Sequence, residues 1–171
     1  LRNLKLMSAA SAATSTTNGR QQIVLADILL YYPFVDTDAV GEQQDMVNTA
    51  TIPRYTSGRV IAVGQSASST LGQFTFSYTN QDGVAGRTSQ NHFTFVVAGG
   101  GQVVASSVQS AASFHPYLAL QAGDSGVKSI ESVTFTAGGG GLMALVIVQP
   151  LLECFVTQES RRTTSGNLET Y

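Results

Sequence analysis

The sequence predicts an all-β protein: a β-sandwich, of jelly-roll type, with extended arms at both ends. Three observations lead there. Runs rich in β-branched and aromatic residues recur at roughly 10–15-residue spacing with turn residues between them, as in a sandwich or barrel. No segment carries the apolar period of an amphipathic helix. Two almost wholly apolar runs, residues 23–32 and 142–148, read as central strands from opposite ends of the chain, so pairing them closes a sheet. A closed barrel is the alternative topology.

The elements follow in order. Residues 1–20 open with Arg2 and Lys5 and continue through Ser, Ala and Thr. They lack the apolar region that a secretory signal requires and read as an extended arm. Residues 22–34, Q-I-V-L-A-D-I-L-L-Y-Y-P-F, make the first long strand, closed by Pro33. Residues 46–52 follow, ending at Pro53, and residues 59–63 give a short strand. In residues 71–78, Leu71, Gln73, Thr75 and Ser77 alternate with Phe74, Phe76 and Tyr78, the period of a half-buried strand. Asn80-Gln81-Asp82-Gly83 supplies turn chemistry. Residues 91–97 set Phe93, Phe95 and Val97 on one face, and Gly99-Gly100-Gly101 ends them. Residues 102–108 and 116–120 carry weaker strand signals. A turn at 122–126 precedes the alternating residues 127–136, and four glycines, Gly138 to Gly141, lead into residues 142–156, a long apolar strand bent at Pro150. The polar residues 157–171 read as a second arm, so the sandwich domain spans residues 21–156.

Charged residues are 12% of the chain, against ~25% in an average soluble domain. Ser and Thr, 18 of each, take their place, and from Val60 to Gly123 only Asp82 and Arg87 are charged. A folded chain of 18.0 kDa exposes roughly 8,000 Å², so charges are about as sparse as one per 400 Å², the area of a large apolar patch. Such a surface is either covered by partners or kept in solution by Ser, Thr and Gln. A net charge of −2 gives no basic footprint for nucleic acid. The apolar run 142–148 is far shorter than the ~20 residues of a membrane-spanning helix. The one cysteine, Cys154, leaves no partner for an internal disulfide and reads as a buried thiol within an apolar run. Basic residues gather near the termini: Arg2, Lys5, Arg161 and Arg162 are the expected partner-binding charges.

A search for chemistry gives little. His92 alternates with Phe93, Phe95 and Val97, which assigns it to the opposite, solvent-facing side of its strand. His115 precedes Pro116 at a loop-to-strand junction. Neither belongs to a nucleophile elbow or a zinc-protease helix, so no catalytic residue is assigned. A hydrolase pairing a serine with His92 or His115 remains the enzymatic alternative. The acidic segment with Asp36, Asp38, Glu42 and Asp45 offers hard oxygen ligands of the kind Ca²⁺ takes. Asp36, Asp38 and Glu42 are therefore the candidate metal ligands, set against a solvated acidic loop. The two glycine runs lack the Gly-Lys-Ser/Thr of a phosphate-binding loop and read as interstrand turns. No cofactor is implied.

The stretch A-G-D-S-G-V-K-S-I-E-S-V-T-F-T from Ala122, followed by L-M-A-L-V-I-V-Q-P-L from Leu142, resembles the C-terminal part of small structural proteins of tailed bacteriophage virions. In these a Gly-Val-x-Ser-Ile strand, a glycine-rich turn and a Leu-Val-x-Val-x-Pro-Leu strand follow one another. The likeness covers about 35 residues, a fifth of the chain. It implies a head decoration (cement) protein or another minor virion component, of sandwich or jelly-roll fold, on the capsid surface. The expected function is non-enzymatic: binding the major capsid protein and other copies of itself, with the arms crossing neighbours. The alternative is a carbohydrate-binding sandwich on a tail or cell surface, though the chain has no Trp.

Overall fold

The protein is described by a computed structural model covering residues 4–9, 20–46, 51–107 and 115–157, with side chains over 24–46, 51–107 and 115–153. Arg2, Arg161 and Arg162 lie outside the described residues, as do the side chains of Lys5 and Cys154. Every regular element among the described residues is a strand: β1 (Leu4–Ala9), β2 (Arg20–Asp36), β3 (Gln43–Asp45), β4 (Arg59–Gly64), β5 (Gln73–Asn80), β6 (Arg87–Thr88), β7 (His92–Thr94), β8 (Ala105–Ser106), β9 (Val127–Ala137) and β10 (Leu142–Thr157). They form two antiparallel sheets packed as a β-sandwich. One has the order β1-β2-β10-β4; the other runs β3-β9-β5-β7-β8, with β6 on β5.

The two apolar runs pair as their composition predicts. β10 lies antiparallel to β2 from Leu142↔Asp36 to Thr157↔Arg20. In β10, residues 143–148 are buried on both faces: Met143, Leu145 and Ile147 enter the core between the sheets, and Ala144, Val146 and Val148 join a second cluster with Ile61 and Tyr117. The main core sets Leu29, Tyr32 and Val35 of β2 against Phe74, Phe76 and Tyr78 of β5 and Val133 and Phe135 of β9. The Tyr32 hydroxyl joins the sheets by accepting the Ile130 N–H at 3.1 Å.

Of residues 46–52, expected as a strand, 47–50 lie outside the described residues. The ladder to β9 lies earlier, at Gln43–Asp45. Met46 and Ile52 still touch β9 through their N–H groups, which donate to the carbonyls of Glu131 and Lys128. Residues 4–9 of the predicted arm pair with β2 as an edge strand. Residues 116–120 form no strand, but the Leu118 N–H donates to the Val60 carbonyl beside β4.

The first sheet is staggered. β4 pairs only with residues 143–148 of β10, whereas β1 flanks β2 at residues 22–27. Past residue 148, β10 runs beside β2 alone, beyond the core between the sheets. Leu151 and Leu152 there are 43% and 57% exposed.

Candidate interaction surface

A β-bulge builds the most unusual surface feature. Val35 pairs with Met143 and Tyr32 with Leu145, so Pro33 and Phe34 together face Ala144 alone. Pro33 cannot donate to the ladder, which suits a bulge. Phe34 takes φ +64°, a conformation that clashes with a bulky side chain and costs roughly 1–2 kcal/mol. Its N–H donates to Gln65 Oε1 at 2.6 Å. Tyr32 and Val35 point into the core, while the Phe34 ring stands out, 72% exposed.

Gln65 also borders a groove of about 390 Å³ on the outer face of the first sheet, with Ile28, Tyr31, Ile61, Val63 and Val146. Tyr31 is 47% exposed. Gly101 closes the groove's rim; at φ +85° it occupies a backbone region that glycine enters without strain, and its N–H donates to the Gly64 carbonyl. The lining carries no formal charge. Exposed aromatics beside an apolar groove are the raw material of a protein–protein contact.

The charge-poor middle of the chain is more neutral than its sequence suggests. Arg87 binds Asp124 through Nε–Oδ2 at 2.9 Å, and Asp124 also accepts from the Tyr78 hydroxyl and the Asn80 amide. The Arg87 guanidinium, with Tyr78 and Asn80, holds the Asp124 carboxyl down at about 2. Burial and the neighbouring Asp124 carboxylate push the Tyr78 phenol up to about 12.

The histidines part company. His92, expected to face solvent, is fully buried, and Phe93 and Phe95 are only half-buried. The strand is turned over because its polar face finds partners inside. The Thr94 hydroxyl accepts the Gly72 N–H at 2.6 Å, and His92 Nδ1 lies 3.0 Å from Ser107 Oγ. Ser107 Oγ also accepts the Ala119 N–H at 2.7 Å, so one hydroxyl ties His92 to the 115–120 segment. The imidazole Nε2 is buried without a partner among the described residues. The ring lies between Phe74 and Phe76, with centroids 5.3 and 5.4 Å away. Burial drives its pKa down to about 3. His92 and Ser107 thus hold segments together, and among the described residues no carboxylate is hydrogen-bonded to the ring. His115 is exposed and lies against Tyr117.

In the acidic loop, Asp36 Oδ1 accepts the Asp38 N–H and Asp38 Oδ1 accepts the Gly140 N–H, both at 2.9 Å. These carboxylates brace the turn against the β9–β10 connection. Glu42 is exposed. Among the described residues no group of three or more His, Cys, Asp or Glu is assembled to hold a metal ion. No helix among them is long and apolar enough to cross a membrane.

Sequence reading missed Phe34, Gln65 and Ser107. Pro33 inside a strand was the available sign of the bulge; nothing local marks Gln65 or Ser107, whose partners are 31 and 15 residues away. Comparison with protein-family models, curated proteins and solved structures found no match.

Proposed function

We propose that the chain is a non-enzymatic virion structural protein, which decorates and stabilises a phage capsid shell by binding the major capsid protein and other copies of itself. One observation carries this reading: Phe34 is held at positive φ, 72% exposed, next to an uncharged apolar groove. A monomer gains nothing from displaying an aromatic ring on strained backbone. A partner that covers the ring offsets the strain, since buried aromatics dominate contact energy. The staggered β1-β2-β10 end adds a second contact, with exposed Leu151 and Leu152 and, among the described residues, β1 as an edge strand of the kind that pairs with partners. Each contact is weak, and repetition on a lattice multiplies them. The segments that resemble phage virion proteins are β9, in the second sheet, and β10, which pairs with β2 beneath the Phe34 bulge and at the staggered end. Lys5, on the edge strand, and Arg2, Arg161 and Arg162 supply terminal charges to neighbours.

The test is co-sedimentation with capsid shells of the encoding phage stripped of minor proteins. The expected result is saturable binding that Phe34→Ala weakens by tenfold or more, about 1.4 kcal/mol or above. A strict monomer with no affinity for shells overturns the proposal.

A further inference from the structure

A second cleft, of about 580 Å³, lies beside β4 and is lined by Arg59, Val60, His115, Tyr117, Leu118, Leu120 and the Asp124–Ser125 turn, with Ser107 and Ala119. Three arginines have described side chains. Arg54 is paired with Asp27 and Arg87 with Asp124. Arg59 makes no ion pair among the described residues; its guanidinium lies over the Tyr117 ring, 5.2 Å from the centroid. The Tyr117 hydroxyl is fixed by donating to Glu153 Oε1 at 2.9 Å. The guanidinium therefore rests on a buried, anchored platform with its donors unspent on any described carboxylate.

The rest of the cleft suits an anion with an apolar body. His115 lies 5.5 Å from the Tyr117 ring and adds an exposed imidazole at the same end. Val60 and Leu118 give a buried apolar floor. The one carboxylate in the lining, Asp124, has both oxygens engaged, by Arg87, Tyr78 and Asn80, so its charge is largely offset. At the far end the Ser125 hydroxyl makes no hydrogen bond among the described residues and is open to a polar group. The volume lies in the usual range for small-molecule sites.

We infer that this cleft binds a small organic carboxylate, its charge on Arg59 beside His115, its body on Val60 and Leu118, and a hydroxyl or amide toward Ser125. Acidic sugars and hydroxylated organic acids share that chemistry. The inference stands independently of shell binding. NMR titrations of the full chain with N-acetylneuraminate, glucuronate and 4-hydroxyphenylacetate separate the two sources, with N-acetylglucosamine and 4-hydroxyphenylethanol as neutral controls. The expected result is saturable shifts at Arg59 and His115 for at least one carboxylate, and none for its neutral control. Arg59→Gln weakens that binding about tenfold or more, as loss of a charge-assisted hydrogen bond does. The exposed His115→Gln serves as a second variant with little effect on folding, and it too weakens binding. Absence of saturation at millimolar ligand, equal binding of the neutral control, or unchanged affinity in both variants overturns the inference.

Discussion

His92 ties the stability of the domain to pH, and its surroundings set the size of the effect. The neutral ring fills a slot between Phe74 and Phe76 with Nδ1 hydrogen-bonded to Ser107 Oγ. In the fold its pKa is about 3; in the unfolded chain it titrates near ~6.5. Between those values the unfolded state binds one more proton than the folded state, so stability falls as pH falls. At ~1.36 kcal/mol per unit, lowering the pH to about 4.5, two units below the unfolded value, removes about 2.7 kcal/mol. That is a large share of the ~5–15 kcal/mol typical of a domain. Asp124 has the same sign in a lower window: its folded pKa of about 2 gives stability that is present above the unfolded carboxylate value, ~3.9, and lost below it. Urea unfolding at pH 7.5 and pH 4.5 isolates His92, with His92→Phe as the reference. The native chain should lose about 2–3 kcal/mol more than the variant between these pH values. Equal losses would refute the assignment of a neutral, buried imidazole.

Three further outcomes follow from named contacts. Ser107→Ala strips the partner from His92 Nδ1 and from the Ala119 N–H; a loss of about 1–3 kcal/mol in urea is expected. Ile147→Ala empties a fully buried core position and should cost about 2–5 kcal/mol by the same assay. Phe34→Gly relieves roughly 1–2 kcal/mol of left-handed strain against about 0.5–1 kcal/mol of added unfolded-chain entropy. The monomer should therefore gain about 0.5–1 kcal/mol in thermal melts while shell binding drops, an opposition that a purely structural Phe34 would not produce.

Much of the architecture is legible in the sequence, because burial on both faces leaves a plain mark. Residues 23–32 and 142–148 are almost uninterruptedly apolar, and they pair. Phe74, Phe76 and Tyr78 alternate and are buried together. Alternation fails where a bulge resets it. In β9, Ile130 and Val133 both face the core although they are an odd three positions apart, because Tyr78 pairs with Ile130 and Ser77 with Ser132, leaving Glu131 extra. The face of β7 was misread for another reason. A two-residue period says only that His92 and Phe93 point opposite ways; Ser107 and the N–H of Gly72 decide which points inward. The features proposed for binding were the least legible. Phe34 is exposed through a register shift set by pairing with β10, and Arg59 is notable only because Asp27 and Asp124 are taken by other arginines.

The proposal that this chain coats a phage shell is tested most directly by its copy number in purified virus particles that carry its gene, by quantitative mass spectrometry. A shell-coating protein should be present at a copy number of the same order as the major capsid protein. Absence from the particles, or the few copies of a portal or tail component, would contradict it.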